Sequence, residues 1–181
     1  IKNENLMRIA PKINLSIASV LIIPIMIFWN PPFFSLMGVQ PYWPLFWLLP
    51  WAIIYGSLDG FVAGLFLGLV LDAINNDFYT QIPGLVICGL WFGSLNDGKK
   101  NINKLKYGLL ASLGTLICGI IYLLQIVLFG IHNEGVYLFS YAIKNIVSQF
   151  FLTGLLAPIF SSWLFLLFIK EKNQRYKSFH N

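Results

Sequence analysis

The stretch GSLDGFVAGLFLGLVLD, Gly56 to Asp72, decides how this chain is read. Glycines stand at 56, 60, 64 and 68, each four residues after the last. Asp59 lies near one end and Asp72 closes the other. Every other residue but Ser57 is apolar. Residues four apart share a helix face, and glycines there remove the bulk that keeps two helices apart. Gly60, Gly64 and Gly68 therefore predict a close-packing face on an apolar helix. An aspartate at mid-bilayer costs about 2.5–3.5 kcal/mol. Asp59 is accordingly read at a helix start, as the N-cap that accepts free backbone N–H groups. Asp72 falls near the other end of the helix. It is read either as a solvated end or as a specific contact.

The rest of the chain says what surrounds that helix. Of 181 residues 57% are hydrophobic and 10% charged, with a mean hydropathy of +0.73. Soluble domains carry about 25% charged residues. The class is therefore an all-α integral membrane protein, taken as one polytopic domain over 1–181. Apolar runs fall at about 13–29, 42–58, 60–75, 82–96, 107–131 and 146–169. They predict a compact bundle of six transmembrane helices. As one helix, 42–75 would be about 50 Å long, too long for one crossing. A split near Ser57–Asp59 makes it a tight hairpin. A five-span bundle, with 42–75 as one tilted or interfacial helix, is the alternative. The bulky WNPPFF after the first run lacks a small-residue cleavage pattern, so that run is read as a retained span.

Charge placement supports six. Lys and Arg total 12. They cluster at Lys2, Arg8 and Lys12, at Lys99, Lys100, Lys104 and Lys106, and at Lys170, Lys172, Arg175 and Lys177, and only Lys144 falls elsewhere. With six spans all three clusters share one side, which the positive-inside rule makes the cytoplasm, with both termini there. The clusters also suit anionic lipid. The net charge of +5 calls for no nucleic-acid partner. On the opposite side, Asn30–Pro44, Asn75–Gln81 and His132–Ser140 read as outer loops, with Trp29, Tyr42, Trp43 and Trp47 as an aromatic belt.

The residues offer no catalytic set. His132 and His180 are far apart, no HExxH or nucleotide-binding loop is present, and Asp59 and Asp72 lack a base or nucleophile between them. His132-Asn133-Glu134 reads as a polar loop tip, and Cys88 and Cys118 as small core hydrophobes. The reading is of a protein that is not an enzyme and takes no cofactor or metal. Gln125, Asn145 and Gln149 are polar residues inside the spans, available for hydrogen bonds within the bundle.

The run Gly60-x-x-x-Gly64-Leu65-x-x-Gly68-Leu69-x-x-Asp72, followed by a polar turn and a span with Gly84, Gly89 and Gly93, resembles the rod shape-determining protein MreD family. The preceding PYWPLFWLLPWAIIYGSLDG is similar to its cyanobacterial branch. The likeness covers roughly residues 40 to 95, with LLAPIF near Pro158 as a fainter echo. It implies a non-catalytic inner-membrane component of the cell-elongation complex that maintains cell shape and organises peptidoglycan synthesis. The implied partners are MreC-like and MreB-like proteins and the membrane-bound glycan polymerase and transpeptidase. A second class fits the size: the substrate-binding membrane component of an energy-coupling-factor type vitamin transporter. Such components carry an Ala-x-x-x-Ala-type docking motif on the first span, of which INLSIASVLIIPIMIFW has no clear version.

Overall fold

The computed structural model describes residues 38–75, 79–95, 104–129 and 135–179, together with Ser35. Among these residues the chain forms five helices and no strand: α1 Trp43–Tyr55, α2 Ser57–Asn75, α3 Ile82–Ser94, α4 Lys104–Phe129 and α5 Gly135–Phe179. The expected first span at 13–29, with Trp29, lies outside the described residues.

Local chemistry sets the boundaries. Pro44 and Pro83 sit in the first turns of α1 and α3, where a missing N–H costs nothing. Gly56 ends α1. Its N–H still donates to Ala52 O at 2.8 Å, but its φ of +108° is one that side chains avoid. The next helix starts at once, with Gly60 N–H donating to Gly56 O at 2.9 Å. The segment 42–75 is thus two helices, and the single long helix of the five-span alternative is broken at Gly56. The break lies just before the expected Ser57–Asp59, so α2 begins at Ser57 rather than at 60.

Three helices contain segments long and apolar enough to cross a membrane: Ser57–Asn75, Leu105–Phe129 and Phe139–Lys170. Their outward faces are apolar, as at Val62 and Phe66 on α2, Leu124 and Val127 on α4, and Leu155 and Ile159 on α5. A water-facing surface would not be so. The helices α1 and α3 have 13 residues each, about 20 Å, against a hydrocarbon core of about 30 Å. The expected spans 42–58 and 82–96 are therefore shorter than full crossings. The last helix is longer than its expected 146–169. It begins at Gly135, so the outer loop drawn over His132–Ser140 is helical from that residue on.

The core is α1. Eleven of its 13 residues are buried, enclosed by the four other helices. This corrects the aromatic belt: Trp43 and Trp47 are 6% and 5% exposed and face protein. Trp47 stacks on Trp51 at 4.8 Å, and Trp51 lies 4.3 Å from Tyr55 between ring centres. Phe46 stacks on Phe160 of α5 at 5.6 Å.

A buried helix must satisfy its backbone without water, and α5 supplies what α1 lacks at three levels. At the start, the Tyr42 N–H donates to Thr153 Oγ1 at 3.0 Å. In the middle, Pro50 has no N–H for the carbonyl four residues before it. That carbonyl, Phe46 O, accepts from Ser161 Oγ at 3.2 Å instead. At the end, Lys172 Nζ donates to Ile54 O at 2.7 Å and lies 5.6 Å from the centre of the Tyr55 ring. A cation there also suits the negative end of the helix dipole. Replacing Ser161 with Ala is expected to destabilise the bundle by about 1 kcal/mol, since it leaves the Phe46 carbonyl unmatched. Thermal unfolding of the purified protein checks this, and an unchanged Tm would refute the pairing.

Candidate functional site

The glycines of α2 meet α3. A Cβ on Gly60 would run into Gly89 O and come within 2.9 Å of the Ala52 Cβ. A Cβ on Gly64 would strike Leu85 O and come within 2.9 Å of the Leu85 carbonyl carbon. A Cβ on Gly68 would come within 2.7 Å of Ile82 Cα. From the other side, Gly89 faces Gly60 and Gly93 faces Ser57. Contacts that pair 57 with 93 and 68 with 82 make α2 and α3 an antiparallel hairpin packed backbone to backbone. The partner of the predicted glycine face is therefore internal. Gly84 turns elsewhere: a Cβ there would lie 3.1 Å from Cys118 Cα on α4.

Asp59 is the third residue of α2, exposed, and not its N-cap. The helix begins two residues earlier because the Gly56 break comes earlier than the acid suggested. Its charge still lies in the first turn, where the helix dipole favours an anion.

Asp72 makes a specific contact. It is half-buried in the last turns of α2. Oδ1 accepts the Gln81 N–H at 2.8 Å, and Oδ2 accepts the Thr80 hydroxyl. Thr80 Oγ1 in turn accepts the Ile82 N–H at 3.2 Å. Carboxylate and hydroxyl together satisfy amides at the start of α3, which no helical carbonyl can reach. The negative charge also meets the positive end of that helix. Gln125 of α4 donates from Nε2 to Thr80 O at 2.9 Å, and Tyr79 sets its ring edge-on to Tyr122, 5.7 Å away. The aspartate thus latches the α2–α3 hairpin, and α4 holds the latch.

Beside the latch is a cavity of about 230 Å³ between the start of α3 and the facing parts of α4 and α5. Tyr42 closes one side, its hydroxyl donating to Gln81 Oε1 at 2.9 Å. Asn145 and Gln149 line it from α5. Asn145 Oδ1 is buried and has no hydrogen-bond partner among the described residues. An unmatched buried acceptor costs about 1–3 kcal/mol. The sequence marked Asn145 and Gln149 as polar residues within a span. What it did not give was their convergence with Gln81, the N-cap of a different helix far earlier in the chain.

Two other features escaped the sequence reading. On α4 and α5, a Cβ on Gly108 would come within 2.7 Å of Gly154 O, and Ser112 Oγ donates to Gly108 O at 3.0 Å and approaches Phe150 O at 3.3 Å. The four-residue spacing of Gly108 and Ser112 was the available signal for this second close contact. Cys88 and Cys118 bring their sulfurs to 3.6 Å as free thiols, and Cys88 Sγ also lies 3.4 Å from Gly114 O. Spacing could not have paired them, since they lie on different helices.

Among the described residues no group of three His, Cys, Asp or Glu side chains could hold a metal ion. The triplet His132-Asn133-Glu134 and His180 lie outside the described residues. Compared with protein-family models, with curated proteins and with solved structures, the chain matches none.

Proposed function

We propose that this chain is an MreD-like, non-catalytic component of the bacterial cell-elongation machinery, which helps to maintain cell shape and to organise peptidoglycan synthesis. One observation carries the reading. The residues behind the family resemblance, Gly60, Gly64, Gly68 and Asp72, all build the same rigid hairpin and its latch. They perform packing and anchoring, the work of a membrane scaffold, and present no reacting group.

In this reading the chain sits in the bacterial inner membrane with six spans and both termini cytoplasmic. Lys106 near the start of α4 and Lys170 near the end of α5 are exposed at the same end of the bundle, where Tyr107 meets Phe165 at 5.5 Å. Basic residues gathered at one end support taking that end as cytoplasmic and in contact with anionic lipid. The Asp72 latch is then at the outer end. The partners are MreC-like and MreB-like proteins, the glycan polymerase and the transpeptidase. The test is capture of the tagged full-length protein from mildly solubilised native membranes. An MreC-like protein should be enriched with it. Recovery of the intact protein without any elongation-complex member would reject the reading.

The cavity favours a second reading, a substrate-binding component of an energy-coupling-factor type vitamin transporter. Saturable vitamin uptake that depends on the protein would support it, and uptake unchanged by deletion would dismiss it.

A further inference from the structure

We infer that the cavity beside Asp72 binds a small, neutral, planar molecule that carries an N–H donor, such as an aromatic or heteroaromatic carboxamide. Size comes first. A cavity of about 150 Å³ already holds benzene, so about 230 Å³ admits one substituted ring. Charge comes next. Among the described residues no Asp, Glu, Lys, Arg or His lines the cavity. Asp72 stands behind the wall with its oxygens engaged by Thr80 and Gln81. An ionised ligand would lose its hydration without a counter-charge, which selects a neutral one.

The walls then specify the shape and the polar pattern. Tyrosines 42, 122 and 141 bring aromatic groups to the cavity, and Ile121, Ile126 and Ile146 bring apolar surface. A flat ring suits such walls. Three amide side chains converge on the same space, Gln81 from the start of α3 and Asn145 and Gln149 from α5. Tyr42 already donates to Gln81 Oε1. Asn145 also lines the cavity; its Oδ1 is packed out of contact with open space and has no partner among the described residues, and it gains a donor when the amide turns toward a bound N–H. A carboxamide N–H supplies that donor, and its carbonyl suits an amide N–H of Gln149. An acyl chain supplies neither, which sets this ligand apart from bulk lipid.

The inference gives a chemistry to the cavity that the transporter reading invokes, and it stands equally for a scaffold with a bound effector. Its test is direct binding, so its failure is distinguishable from failure of an uptake or shape assay. The full-length protein in lipid nanodiscs is titrated calorimetrically with nicotinamide and benzamide, with toluene and benzoate as apolar and charged counterparts. Saturable binding of at least one carboxamide, roughly millimolar or tighter, and at least about tenfold stronger than toluene or benzoate, is expected. Asn145→Leu is expected to weaken it about tenfold, and Ala142→Phe, which fills the cavity, to abolish it. The native protein alone decides the matter if either variant fails to fold. No carboxamide binding, or equal uptake of toluene, would overturn the inference. So would carboxamide binding unchanged in a folded Ala142→Phe protein.

Discussion

Gly64→Leu is expected to cost the bundle more than about 3 kcal/mol, enough to lower the yield of folded protein sharply. Overpacking a core usually costs about 1–3 kcal/mol, because flexible side chains can give way. Here the first group in the way is the Leu85 carbonyl, with Val86 Cα close behind at 3.1 Å. Backbone cannot rotate aside, so α2 and α3 must part along their length. Separating them would also disturb Gly60 against Gly89 and Gly68 against Ile82. Leu65→Ala, on the exposed side of the same helix, is the matched control and should change stability little. Thermal unfolding and monodisperse yield in detergent read out both. A Gly64→Leu protein as stable as wild type would mean that α2 and α3 do not pack as described.

The second large effect is at the other end of that hairpin. Asp72→Leu removes acceptors from the Gln81 amide and the Thr80 hydroxyl. Hydrogen bonds to charged groups contribute about 1.5–3 kcal/mol each, and unmatched donors add their own cost. A loss of about 3 kcal/mol is expected, with greater proteolytic sensitivity at residues 79–81. Asp72→Asn keeps one carbonyl oxygen for the Gln81 N–H and should lose no more than about 1 kcal/mol. Equal effects of Asn and Leu would show that the charge matters and the amide bond does not. No effect of either would remove the latch from the account.

The two cases show what could be read in advance. Gly60, Gly64 and Gly68 were legible because four-residue spacing maps directly onto a helix face. Their partner was not, since spacing says nothing about which helix approaches. Asp72 was legible as an anomaly, a charge among apolar residues. Its role depended on the amides of residues 81 and 82 folding back beside it, which is tertiary information. Trp43 and Trp47 misled for a related reason. Tryptophan beside a proline-rich loop looks interfacial, but hydropathy cannot distinguish lipid-facing from protein-enclosed apolar surface. The enclosed α1 has the apolar composition of a span without its length. Pro50 shows in the sequence that one N–H is missing, while the answer to it, Ser161, lies on another helix, 115 residues beyond the carbonyl it serves, and has no local sign. The end of α5 was drawn short because its termini leave the apolar pattern while remaining helical.

The cavity sits at the least legible point. Its amides come from the start of α3 and from two successive turns of α5, and only the fold brings them together. In the scaffold reading, the hairpin and latch hold a fixed shape for protein partners, and the cavity offers a place where a small molecule can bias that shape.

The most direct measurement of the central claim is conditional depletion of this protein in its own cell, followed by imaging of cell width and of new peptidoglycan. The account predicts wider, rounded cells with dispersed wall synthesis, restored by wild type and not by Gly64→Leu. Cells that keep their width and their pattern of wall synthesis after the protein is gone would contradict it.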